Sequence, residues 1–162
     1  SAGTQPLPES QLDRFMICLS IGYPNLEKQI EIIKSRRYDN PIERIKEVAS
    51  KENVIEVQNY LSSVRICDDV LKYIVLLCEK TREMPLIELG VSPRGVLALV
   101  QMAKAHAVLE DRIYVIPEDV QDVFLDVCAH RLILRPQARV EGLDARDILK
   151  EILVEVKPPL AD

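Results

Sequence analysis

The side chain best placed to do chemistry is Arg94. It follows Gly90-Val91-Ser92-Pro93, a stretch that opens a helix by rule, with serine as the cap and proline in the first helical position. The start of a helix offers unpaired amide N–H groups and a partial positive charge. An arginine there adds a fixed charge and a planar fork of donors suited to phosphate or carboxylate oxygens. The spacing permits an anion grip, and equally permits an ordinary helix start. Arg14, in Leu12-Asp13-Arg14-Phe15, reads by pattern alone as a surface arginine beside an acid.

No self-contained active site accompanies these arginines. There is no GxxxxGK[ST] loop to cradle phosphates, no GxSxG, no HExxH and no EF-hand loop, and the glycines are scattered. His106 and His130 fall in predicted helices, where a histidine without a catalytic partner makes no mechanism. Glu110-Asp111 and Glu118-Asp119 read as solvated helix ends. Cys18, Cys67, Cys78 and Cys128 each lie in an apolar run, with no CxxC pair and no histidine at ligand spacing. They read as buried free thiols of a cytoplasmic protein, and no metal site is expected. The net charge is -5 with signs interspersed, which speaks against a nucleic-acid partner. No apolar run approaches the roughly 20 residues of a membrane helix.

The elements that must carry these residues are mostly helical. Ser1 to Leu7 reads as an extended tail and Pro8 to Phe15 as a short helix. Met16 to Ile21, ended by Gly22 and Pro24, reads as a strand whose pairing partners lie outside the chain. Asn25 can cap a helix with Leu26, Ile30 and Ile33 on one face, ended by Arg36 to Pro41. Ser50 can cap the next, with Val54, Val57, Leu61 and Val64 in a stripe, and Asp68 or Asp69 a third, stopped before Pro85. A fourth begins at Ser92 and a fifth at Pro117-Glu118-Asp119, after an extended Arg112 to Ile116. A last runs from about Asp144 to Val154. The expectation is an all-α chain: a bundle of about five or six helices preceded by a short helix-strand unit.

Taken in order, several segments resemble the MoxR family of AAA+ ATPases. Leu7-Pro8-Glu9-Ser10-Gln11-Leu12-Asp13-Arg14-Phe15 resembles that family's LPEAQLDRF, and Ser20-Ile21-Gly22-Tyr23-Pro24 its junction between core strand and lid. Thr81-Arg82 followed by Leu89 to Arg94 resembles TR…LGASPR. Tyr114 to Val120 resembles YVTPDDV, and His130-Arg131-Leu132 its HRL. Glu141-Gly142 and Val156 to Pro159 fit the family's C-terminal end. Gly95 stands where alanine is usual, a change that loosens a first helical turn by up to about 1 kcal/mol.

The resemblance implies an AAA+ lid-type bundle over residues 25–162, preceded in 1–24 by the end of the ATPase core and the junction. It implies ATP and Mg²⁺ as cofactors of a full-length ATPase and none for this fragment alone, which lacks the phosphate loop. Arg94 then matches the sensor-2 arginine, reaching the γ-phosphate of its own subunit. Arg14 matches the arginine finger that acts in the neighbouring subunit. Tyr23 and Pro24 match the border of the adenine, and Pro93 with Arg94 the nucleotide contacts of the lid. Arg82 and Arg131 fall in family motifs with no role attached. The implied partners are the ATPase core domain and neighbouring subunits of a homo-oligomeric ring that remodels or assembles client proteins. A second reading is a non-catalytic, histone-fold-like interaction module, because a long helix followed by Val-Ile-Pro-Glu-Asp-Val suits that setting too.

Overall fold

Capping chemistry places the helix starts. In the computed structural model, which describes residues 7–36 and 40–159, Ser92 opens α5 (Pro93–Leu109) and its hydroxyl accepts the amide of Gly95 at 3.2 Å. Asp144 opens α8 (Ala145–Glu155) with a reciprocal capping box to Asp147. Asn25 and Ser50 cap the helices that follow them, accepting the amides of Lys28 and Asn53. The third helix differs from expectation. Cys67 is its N-cap, with no side-chain bond, and Asp68 and Asp69 lie within the first turn, where they complement the helix dipole.

The chain forms two units, Ser1–Cys18 with Tyr60–Asp162, and Leu19–Asn59. The first unit comprises α1 (Glu9–Leu12), α4 (Asp68–Glu83), α5, α6 (Pro117–Cys128), α7 (Pro136–Val140) and α8. Its core is aliphatic, as the near absence of aromatics requires. Ile74 and Leu77 from α4, Leu99, Ala103 and Ala107 from α5, Val120, Phe124 and Val127 from α6, and Leu149 and Ile152 from α8 are all inaccessible to solvent. Burying each large aliphatic side chain contributes about 1.5–3 kcal/mol, so these interlocked faces hold the unit together. Two short strands absent from the sequence reading, β1 (Ile87–Leu89) and β2 (Ile133–Leu134), pair antiparallel and tie the loop before α5 to the segment after α6.

A buried carboxylate braces the α5–α6 turn. Asp119 is fully buried, which overturns its reading as a solvated helix end. Its carboxylate accepts from Arg112 on both oxygens, from the Ile116 amide at 2.8 Å, and lies 2.8 Å from His106 Nδ1. Burial alone would raise its pKa. The Arg112 guanidinium, the Ile116 amide and His106 outweigh that and hold it below the ordinary carboxylate value. The turn itself ends α5 with Asp111 in the left-handed region at φ 56°, while the Arg112 amide reaches back to the Ala107 carbonyl at 2.8 Å.

The expected strand Met16–Ile21 is not formed: the segment is irregular. Its first part has other partners, since the Cys18 amide donates to the Asp126 carbonyl at 2.9 Å, near the end of α6. A strand without a sheet leaves its backbone groups unpaired, and an irregular strap can borrow carbonyls from a helix end instead. The expected tail at Ser1 to Leu7 lies outside the described residues except for Leu7.

The second unit holds α2 (Leu26–Arg36), a 3₁₀ turn (Pro41–Arg44) and α3 (Lys51–Tyr60). Neither α2 nor α3 has a buried residue, and the apolar stripe read from Leu26, Ile30 and Ile33 is exposed. The description of α2 stops at Arg36, so the helix end expected across Arg37 and Asp39 lies outside the described residues.

Candidate functional site

The start of α5 is gripped from two sides. From α4, Thr81 accepts the Val91 amide at 2.9 Å and donates to the Cys78 carbonyl at 2.6 Å, while Arg82 Nε donates to the Val91 carbonyl at 3.0 Å. The approach is so close that a Cβ on Gly90 would sit 2.8 Å from the Arg82 backbone nitrogen. Arg82, left without a role by its motif, therefore orients the loop that delivers Ser92, Pro93 and Arg94. On the other side, Gly95 is buried, and a Cβ there would meet Val91 Cγ1 at 2.6 Å and Arg131 Cδ at 2.9 Å. Read from sequence as a loosened helical turn, Gly95 is the surface on which Arg131 lies.

Arg131 is the hub of this region. Its side chain is 2% exposed. One terminal nitrogen donates to the carbonyls of Val127 and, at 3.2 Å, Met16. The other donates to the Phe15 carbonyl at 2.6 Å and the Asp13 carbonyl at 3.3 Å. Its Nε faces Asp13 Oδ1 at 3.2 Å as an ion pair without hydrogen-bond alignment. The Asp13 carboxylate in turn accepts the Ser92 hydroxyl at 3.1 and 3.0 Å. His130 Nε2 lies 3.0 Å from the Phe15 carbonyl and 2.8 Å from Arg131. Burial, and then the Arg131 charge, push the His130 pKa below its ordinary value, against the favourable pull of the Phe15 carbonyl. A cleft of about 960 Å³ opens over these groups, lined by Ser10, Asp13, Arg82, Ser92, Pro93 and Arg131 among others.

The two candidate arginines stand at the margins of this network. Arg94 is exposed in the first turn of α5, with Pro93 exposed beside it. Arg14 is exposed in the turn after α1, its amide bonded to the Gln11 carbonyl at 3.1 Å. Neither guanidinium has a hydrogen bond or ion pair among the described residues. Tyr23 and Pro24 belong to the other unit, where Tyr23 is fully exposed and the Pro24 carbonyl accepts from Gln29 at 2.8 Å.

Asp13, Ser92 and Arg131 together were not visible from sequence. Their partners lie between 79 and 118 residues apart, and the only signal was that each sits in or beside a short polar motif. The thiols divide: Cys78 and Cys128 are buried, whereas Cys18 and Cys67 are exposed, contrary to expectation. Burial and the adjoining Cys78 raise the Cys128 pKa well above the usual thiol value, which keeps it protonated. Among the described residues no helix is long and apolar enough to cross a membrane.

Residues 79–152 match the AAA lid domain family. The chain is 42% identical to the uncharacterized protein YeaC of Bacillus subtilis over 98% of its length and 49% of that protein's. Against the chaperone MoxR1 of Mycobacterium tuberculosis it is 30% identical over 97% of this chain and 44% of the relative. A crystal structure of a Cytophaga hutchinsonii protein assigned as an ATPase superposes with a TM-score of 0.88 at 34% identity, covering 98% of this chain and 51% of that one. The chain belongs to the MoxR family of AAA+ ATPases, whose lid domain it carries. It spans about half the length of these relatives.

Proposed function

We propose that this chain is the lid-bearing portion of a ring-forming MoxR-type AAA+ ATPase, and that it couples nucleotide turnover to chaperone-like remodelling or assembly of client proteins. Residues 25–162 act as the lid, and residues 1–24 as the end of the ATPase core and the junction. The observation that carries the reading is Arg94: an exposed guanidinium with no hydrogen bond or ion pair among the described residues, on a capped helix start whose loop is fixed by Thr81 and Arg82. A free, positioned arginine at such a place fits the terminal phosphate of a nucleotide, through charge-assisted bonds and the helix dipole. ATP, held with Mg²⁺ in the full-length protein, supplies the phosphoryl group that is transferred to water.

Arg94 binds and orients that phosphate within its own subunit. Arg14 offers a second guanidinium to the adjacent subunit, where an arginine finger contributes about 10³–10⁵ in rate by offsetting transition-state charge. Tyr23 and Pro24 border the base, and Pro93 the phosphates. Neighbouring subunits and the ATPase core are the partners, and the protein works in the cytoplasm.

Subunit mixing in the full-length ATPase tests the assignment. Arg94→Ala subunits are expected to lose turnover at their own sites. Arg14→Ala subunits lose it at the sites of their neighbours. Undiminished turnover in both variants rejects the reading, and so does a stable protein or DNA complex formed by this chain with no nucleotide involvement.

A further inference from the structure

We infer that Asp13, Ser92 and Arg131 form a bolt that makes the Arg14-bearing strap and the Arg94-bearing helix start one moving part. The bolt stands on geometry. Asp13 precedes Arg14, and Ser92 precedes Pro93-Arg94. The Asp13 carboxylate takes the Ser92 hydroxyl at 3.1 and 3.0 Å. Arg131 closes the triangle, pairing with the same carboxylate at 3.2 Å while its aliphatic stem packs where a Gly95 Cβ would lie. Its fork also takes the carbonyls of Asp13, Phe15 and Met16, so the strap is held on both sides of Arg14. The Cys18 amide, on the Asp126 carbonyl, anchors the far end.

Both exposed guanidinium groups therefore leave a single block through short, fixed stretches of backbone. A displacement of the helix start by an anion at Arg94 is transmitted to Arg14 through the Asp13 carboxylate, and a ligand bound at Arg14 changes the affinity at Arg94 by the same factor, because coupling between binding sites is reciprocal. The consequence for catalysis rests on the proposed reading, in which Arg94 serves one nucleotide site and Arg14 the next. Asp13, Ser92 and Arg131 are then positioning residues that set two adjacent sites together. An arginine suits 131 because its planar fork spreads its donors over carbonyls and a carboxylate that lie apart, whereas a lysine brings all three of its donors to one nitrogen.

Two measurements separate the bolt from the reading it serves. Hydrogen exchange on this chain, read residue by residue, is compared for the wild type, Asp13→Ala, Ser92→Ala and Arg131→Lys. Asp13→Ala is expected to speed exchange about tenfold at the Gly95 and Val96 amides, while amides in the middle of α6 stay protected. Ser92→Ala speeds it at the Cys18 amide, and Asp13→Ala combined with Ser92→Ala is no worse there than either alone. Ser92→Thr, which keeps the hydroxyl, restores protection. Change confined to the mutated side, or additive effects in the double variant, overturns the bolt. If Asp13→Ala unfolds the chain, Arg131→Lys with Ser92→Ala carries the same comparison.

In the full-length ATPase, Asp13→Ala subunits mixed into wild-type rings are expected to lower kcat at their own and at neighbouring sites. Arg94→Ala would affect only the former, and Arg14→Ala only the latter. Loss at one kind of site alone rejects the coupled action. Coupled exchange with unchanged turnover in Arg14→Ala and Arg94→Ala leaves the bolt standing and removes the functional reading instead.

Discussion

Two buried charges in the first unit are solved in opposite ways. Asp119 is a carboxylate hub whose partners, His106, Arg112 and the Ile116 amide, all lie within 13 residues of it and are all part of the lid. Arg131 is a guanidinium hub whose partners include carbonyls 115 to 118 residues away, on a strap that leads into the lid. The first cluster closes a turn between two core helices. The second joins a sequence-distant segment to the core of the same unit, and it keeps an Nε without an aligned bond. A buried charge with only local partners is part of folding, whereas one with distant partners acts as a clamp that can be opened while the core stays intact.

Removing one member of each hub sharpens this contrast most. Asp119→Ala removes the carboxylate that Arg112, the Ile116 amide and His106 share, and is expected to cost about 3–5 kcal/mol, read as a global shift in urea unfolding. Arg131→Leu keeps an apolar filler against Gly95 and frees carbonyls that water can reach once the strap lifts. Its expected cost is about 1–3 kcal/mol, accompanied by proteolytic cleavage between Leu12 and Cys18 in an otherwise folded lid. Equal global losses in the two variants would erase the distinction.

Acid titration should open the clamp before the brace. His130 has a folded pKa pushed below its value of 6.5, so its neutral form contributes stability above that pH, and the contribution is lost as pH falls through the folded pKa. Asp119 is likewise held below its ordinary 3.8, and its contribution is lost only as pH falls beneath that value. Exchange protection of the Cys18 amide should therefore weaken in the mildly acidic range, where the far-ultraviolet circular dichroism signal of the helices is unchanged. Simultaneous loss of both signals would contradict two independent clusters.

The smallest effect concerns the turn beside the brace. Asp111 occupies a left-handed conformation that glycine adopts without steric cost. Asp111→Gly is expected to stabilise the chain by up to about 1 kcal/mol, visible as a raised melting temperature. Destabilisation would show that the Asp111 side chain contributes something the turn geometry does not.

Much of the fold was legible because its signals are local. Serine, asparagine and aspartate before periodic apolar runs located Ser92, Asn25, Ser50 and Asp144 as helix starts, and the Ser92-Pro93 pair placed Arg94 in the first turn of α5. Local signals also misled. The apolar run Met16–Ile21 looked like a strand because composition cannot tell whether a sheet is present to pair with it. Asp119 looked solvated because acids at helix starts usually are.

By itself, the sequence determined the helical class, the aliphatic core, the family and the place of Arg94 in the first turn of a helix, since capping, periodicity and short motifs act over a few residues; it ran the first helix on to Phe15, whereas α1 ends at Leu12 and Arg14 lies in the turn beyond. Tertiary structure alone decided that Arg82 orients the α5 loop, that Gly95 makes room for Arg131, and that Asp13 meets Ser92. Those contacts depend on how separate elements pack, and no local preference encodes a bond such as that from Ser92 to Asp13, whose two ends lie 79 residues apart.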